Sequence, residues 1–213
     1  MKRLAILLLI LFLFSCKPSR SKHRYYPQAR KLADSAVQLW YKDDTVKSKR
    51  SVLVLDSIFY LKKISLLNKA ISIDSTYLPA YWDKFDYQKE LRQYDSVIIT
   101  GKQILKITPD AASTALRIGE CYEVLGDTIS STKYYKSALS IFNKKLNNTN
   151  LDDVGNRLGE LDKAVDLILL RQTQEGRDVL QKLSDAVTDE REKQLYQWYM
   201  YKSRSDLVKR MMP

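Results

Sequence analysis

The sequence predicts an all-α chain: short antiparallel helix pairs stacked into a solenoid of about three to four repeats plus a capping helix, behind a removable N-terminal segment. Three observations predict it. From residue 28 onward, apolar residues recur at three and four positions rather than at two. A fixed 34-residue period returns the same pattern, in Ala70-Ile71-Ser72-Ile73-Asp74, then Ile104-Leu105-Lys106-Ile107-Thr108-Pro109, then Ala138-Leu139-Ser140-Ile141-Phe142. Six Gly and five Pro in 213 residues leave little material for the tight turns of a sandwich or barrel, and no run reads as a strand with turn signals on both sides.

The N-terminus reads as an address. Met1-Lys2-Arg3 is a short basic start, and Leu4 to Phe14 is an unbroken apolar run. As a helix that run spans about 16 Å, against a hydrocarbon core of about 30 Å, so residues 1–15 are expected to be a signal peptide. Leu13-Phe14-Ser15-Cys16 resembles the lipobox of Gram-negative bacterial lipoproteins. The resemblance implies a diacylglyceryl thioether on Cys16, cleavage after Ser15 and acylation of the new amine. An ordinary secretory signal followed by a chance Cys is the alternative. Lys17-Pro18-Ser19-Arg20 carries neither an Asp after the Cys nor an acidic run. By the same resemblance, this favours the periplasmic face of the outer membrane over inner-membrane retention or surface export. Residues 16–27 then form a lipidated basic tether, lying against anionic lipid or cell-wall polymer or simply solvated.

Charge narrows the partners. The formal net charge is +11, but residues 17–31 hold Lys17, Arg20, Lys22, Arg24, Arg30 and Lys31 and no acid. Residues 32–213 carry 28 basic and 25 acidic side chains, so the body is nearly balanced. A basic stripe on the folded face, the footprint of a nucleic-acid binder, is not evident.

The repeat domain is expected over 28–213. Its first helix is read at 28–41, with a face of Leu32, Ala36, Leu39 and Trp40, followed by a charged loop at 43–50. The next face is Val54, Ile58, Leu61 and Ile64. The best copies are 78–111 and 112–145. In the second of these, Ile118-Gly119, Tyr122, the turn Leu125-Gly126-Asp127, Ser131, and Tyr134, Tyr135, Ala138 and Leu139 recur at the packing positions. These residues resemble the tetratricopeptide repeat (TPR). The copy at 78–111 has Tyr81, Leu91, Tyr94, Ile98 and Pro109 in register but Phe85 where the family has Gly, so its two helices are expected to be pushed apart or tilted. The earliest copy shows only its second helix, through Tyr60, Leu67, Ala70 and Ile71. After Asn147-Asn148-Thr149-Asn150, helical patterns at 152–171 and 174–187 make a degenerate fourth copy of ambiguous register. Residues 189–211 are expected to cap the array with one helix, with Tyr196 and Tyr199 on its core.

No constellation carries catalysis. His23 lies in the tether without a ligand partner, and Cys121, mid-helix, behaves as a small hydrophobe with no His to activate it. A phosphate-binding Gly run is missing, and the acid pairs Asp43-Asp44 and Asp152-Asp153 sit in loop-like sequence. No catalytic residue, metal or cofactor is expected, apart from the covalent lipid on Cys16.

The resemblance implies instead a concave groove lined by the first helix of each pair, where a peptide lies. Its groove positions fall on Pro79, Trp82, Asp86, Lys89 and Glu90, then on Ser113, Leu116, Glu120, Glu123 and Val124. Trp82, Asp86, Lys89, Glu90, Leu116, Glu120 and Glu123 are therefore the candidate partner-binding residues. An aromatic anchor among acids suits a basic or amphipathic segment, unless Trp82 packs on the preceding repeat. The function expected is a lipid-anchored, non-catalytic adaptor holding a protein or peptide in the cell envelope. The alternative is a glycan-binding lipoprotein, which needs an aromatic shelf of Trp82, Tyr87 and Tyr94.

Overall fold

A computed structural model of the chain describes residues 26–39, 52–147 and 150–211. The segment expected to be a signal peptide, Cys16, the expected tether up to Tyr25, Trp40 and the charged loop lie outside the described residues. Within them the chain is entirely helical, without strands: α1 (Pro27–Gln38), α2 (Val52–Ile73), α3 (Leu78–Glu90), α4 (Tyr94–Ile107), α5 (Ala112–Val124), α6 (Thr128–Lys145), α7 (Val154–Leu169), α8 (Thr173–Ala186), α9 (Glu190–Met200) and α10 (Arg204–Met211).

Local sequence sets the helix starts. Pro27 and Pro79 sit in first turns, where a missing N–H leaves no bond unmade. The side chains of Asp127, Asp153 and Asp189 accept from the backbone N–H of Ser130, Asn156 and Glu192, each capping a helix. Asp74 folds the α2–α3 link by accepting from both the N–H and the hydroxyl of Thr76.

Each helix packs on the next, in the pairs α1/α2, α3/α4, α5/α6 and α7/α8, and consecutive pairs stack through α2/α3, α4/α5 and α6/α7. First helices also meet across pairs, α1 with α3 and α5 with α7. This is a TPR-like α-solenoid of four helix pairs. The α3, α5 and α7 helices end in the same turn, with the backbone left-handed at Arg92 (φ 56), Gly126 (φ 81) and Arg171 (φ 68). In each turn three successive N–H groups fold back on the last carbonyls of the helix, so Leu91, Leu125 and Leu170 are equivalent.

That equivalence fixes the register of the fourth pair. Ala164 stands where Gly119 does and Gly176 where Ser131 does. A β-carbon on Gly176 would come within 2.7 Å of the Ala164 carbonyl oxygen, so α7 and α8 touch there backbone to backbone. A left-handed non-glycine residue costs roughly 1–2 kcal/mol. Arg92→Gly and Arg171→Gly are each expected to raise stability by about 0.5–1 kcal/mol after the entropy of a freer unfolded chain, read as a higher melting temperature. Unchanged or lower melting in both would contradict the shared-turn assignment.

Phe85 does not need to wedge its pair open. Its ring enters the space above Gly101, where a β-carbon would sit 2.9 Å from Phe85 Cε2 and 2.7 Å from Ile118 Cγ1. In the next pair the sizes are exchanged: Gly119 faces Tyr135, whose Cδ1 would lie 2.6 Å from an added β-carbon. Large-on-small in one repeat becomes small-on-large in the next, and both interfaces fill.

Two other expectations are corrected. On α2, Ile58 and Leu61 are exposed, and the buried stripe is Lys63, Ile64, Leu67 and Ala70. The helix is apolar on several sides, so its pattern names no unique face. What selects the face is the close-packing stripe Ala29, Ala33 and Ala36 on α1, which shares a core with Leu67, Ala70 and Ala80. At the C-terminus, two helices replace the expected one. α9 packs on α8 as a cap. The chain then breaks at Ser203, whose hydroxyl accepts from the Asp206 N–H while Asp206 Oδ2 accepts from the Ser203 N–H, a capping box that starts α10. α10 turns back over α5 and α7.

Candidate functional site

The first-helix side of the array carries the candidate residues. On α3, Trp82, Asp86, Lys89 and Glu90 are all exposed. Trp82 retains 45% of its surface, so it is not spent on packing against the preceding repeat. It borders a depression of about 370 Å³ that includes Ser113 at the start of α5. Ser113 also lines a second cleft, of about 560 Å³, with walls from Lys89, Arg117, Glu120, Asp162, Tyr199 and Arg210. The two hollows therefore adjoin, running from α3 across α5 to α7.

Charges of both signs line this surface, with Asp86, Glu90, Glu120 and Asp162 beside Lys89, Arg117 and Arg210. Partial loss of hydration, and Glu90 nearby, raise the Asp86 carboxyl above its ordinary range, while Lys89 and Arg117 oppose the shift. Arg117 bridges two first helices: Nη1 donates to Glu120 Oε1 at 2.5 Å and Nη2 to Asp162 Oδ1 at 2.8 Å. These carboxylates hold the guanidinium firmly charged despite burial. Removing one member of such a shielded set leaves its partners uncompensated.

Leu116 and Glu123 sit differently from the α3 residues. Leu116 is fully buried, in the same apolar cluster as Leu161, Val165 and Leu207. It has no surface open to a partner. Glu123 receives Arg204 Nη2 on Oε1 at 2.6 Å and the Ser131 hydroxyl on Oε2 at 3.0 Å. Glu120 is 8% exposed, turned into the Arg117 bridge. The structure thus brings Trp82, Asp86, Lys89 and Glu90 together as an open wall, and Leu116, Glu120 and Glu123 as a covered one. Arg204, which pairs with Glu123, and Leu207, which joins the cluster of Leu116, have no counterpart in the repeat pattern. Their contacts lie tens of residues away in sequence, where periodicity carries no information.

Behind this wall is an unusual carboxyl. Asp166 has no exposed surface, and neither oxygen has a hydrogen-bond partner among the described residues. Burial, with Glu120 and Asp162 nearby, pushes it up to about 8, so it is protonated at neutral pH. The Tyr135 hydroxyl is likewise buried without a partner among those residues.

An aromatic shelf does not form. Tyr87 stacks on Tyr60 with ring centroids 5.4 Å apart, and Lys63 Nζ lies 4.7 Å from the Tyr87 ring. Tyr94 packs on the core of the second pair. Trp82 is left without coplanar neighbours from those two tyrosines. Cys121 is 4% exposed, and burial pushes its thiol up to about 12, which keeps it un-ionised. Among the described residues no group of three or more His, Cys, Asp or Glu is placed to hold a metal ion. No described helix is long and apolar enough to cross a membrane.

The sequence matches no protein-family model and no curated protein. Among solved structures the fold is similar to that of a mutant form of MamA, at 13% identity over 75% of this chain and 90% of that one, with a TM-score of 0.38. At that score the likeness carries no argument about function. The helix order and the repeated turns assign the fold.

Proposed function

We propose that this chain is a lipid-anchored helical-repeat adaptor of the cell envelope, which holds a partner protein by a basic or amphipathic segment laid across α3, α5 and α7. The observation that carries the reading is the open α3 wall: a half-exposed Trp82 flanked by Asp86 and Glu90 and continuous, through Ser113, with the two hollows. An aromatic anchor with exposed carboxylates on the same helix offers a hot spot to a cationic peptide, because a ring face and carboxylates both attract guanidinium or ammonium groups. In this reading the role is binding without catalysis: Glu120 and Asp162 are engaged with Arg117 and Glu123 with Arg204, while Asp86 and Glu90 stay exposed to meet a partner's cations. The lipid on Cys16 places the array on the periplasmic face of the outer membrane, and the basic tether keeps it near the membrane surface.

Two experiments test this. Growth with a labelled fatty acid is expected to label the protein, and Cys16→Ala to abolish that label; an unlabelled wild-type protein would remove the anchor from the account. Affinity purification from envelope extracts is expected to recover a partner that is lost, by tenfold or more, with Asp86→Lys/Glu90→Lys. Full recovery with that double variant would place the working face elsewhere.

A further inference from the structure

Half of this groove is occupied by the chain itself. α10 lies across the first helices α5 and α7. Its first residue, Arg204, reaches Glu123 at 2.6 Å and donates through Nε to the Leu169 carbonyl at 2.9 Å. Three residues on, and so on the same helical face, Leu207 is 3% exposed and joins Leu116, Leu161 and Val165 in one apolar cluster. The acceptor is prepared for its cation: Glu123 is steadied on its other oxygen by Ser131. An eight-residue helix is too short to persist alone in water, so α10 stays helical because these contacts and its capping box hold it. Beneath it lies an apolar strip edged by Glu123, which takes the Arg204 guanidinium, and by Arg117 bridged to Glu120 and Asp162.

We infer that the α5–α7 half of the groove is built for a helical segment of the pattern Arg-x-x-Leu, and that α10 is the chain's own occupant of that site, displaced when a partner presents the same pattern. The inference rests on the groove reading above and adds the chemistry of the partner. It also accounts for the burial of Leu116, which lies at a groove position yet faces no solvent.

The test uses the full chain in detergent and a dye-labelled peptide with the sequence of residues 202–211. Arg204→Ala/Leu207→Ala in the chain is expected to free the site, so that the peptide binds this variant at least tenfold more tightly than it binds the wild type. A peptide with its own Arg and Leu replaced by Ala is expected not to bind. Arg204→Glu, which leaves Leu207 in place, serves as a second variant should the double change disturb the fold, as judged by circular dichroism. Pairing Glu123→Lys in the chain with a peptide carrying Glu at its Arg position is expected to restore binding that either change alone removes. Equal binding to wild type and variants, no binding to any at millimolar peptide, or no rescue by the charge exchange would overturn the inference. If the peptide fails while an envelope partner is still captured through the α3 wall, this inference alone falls; if that capture fails as well, the groove reading falls with it.

Discussion

Gly101→Leu is expected to destabilise the fold by roughly 3 kcal/mol or more, at the upper end of what overpacking a filled interior costs. The added β-carbon alone meets Ile118 and Phe85 inside 3.0 Å. Neither neighbour has room to move, since Ile118 is fully buried and Phe85 is 6% exposed. Phe85→Ala by itself opens a cavity and is expected to cost about 3–5 kcal/mol. Combining the two should cost clearly less than their sum, by more than about 1 kcal/mol, because each change supplies what the other lacks. Urea-denaturation midpoints of the four proteins measure this. Strict additivity would mean that Phe85 and Gly101 do not share the interface, and that the size exchange with Gly119 and Tyr135 is coincidental.

Asp166→Asn should change how stability depends on pH. The wild-type carboxyl titrates near 8 in the folded chain, against about 4 when unfolded. Between those values the folded state holds a proton that the unfolded state has released. Wild-type stability therefore falls as pH rises from about 4 to about 8, and levels off above that. At about 1.4 kcal/mol per pH unit the loss reaches several kcal/mol. Asn has no such proton, so the Asp166→Asn protein should gain on the wild type steadily from pH 5 to pH 8. Taking the difference between the two proteins cancels the opposite contribution of Asp110, Asp127, Glu192 and Asp206. Those carboxyls are held below their ordinary range by hydrogen bonds and favour the fold above it. Thermal melts at pH 5, 7 and 9 that shift in parallel would show that Asp166 is solvated or paired.

What is legible in the sequence, and what is hidden, follows from where each signal resides. Gly126 announces its turn because glycine is the usual residue at a positive φ. Arg92 and Arg171 make the same turn with no such mark, so the fourth pair is visible as two helices while its register is not. Phe85 looks like a fault when matched to one repeat position. It ceases to be one only when Gly101, sixteen residues later on the facing helix, leaves it room. The apolar residues of α2 outnumber one face, so the choice belongs to the alanines of α1. Trp82 and its acidic neighbours are legible through the resemblance to a known repeat, which assigns their positions to the groove, and not through the period by itself. α10 is not, since an ion pair between Arg204 and Glu123 spans 81 residues of sequence and leaves no local trace.

The most direct measurement is photocrosslinking in living cells from both sides of the array. A photoreactive residue is placed at Trp82 or Lys89 on the α3 wall, and at Ile99 or Ile129, two exposed positions on second helices. A discrete protein adduct from Trp82 and Lys89, absent from Ile99 and Ile129 and lost with Asp86→Lys/Glu90→Lys, is the predicted result. Adducts from Ile99 or Ile129 alone, or no protein adduct from the α3 wall, would contradict the claim that this groove holds the partner.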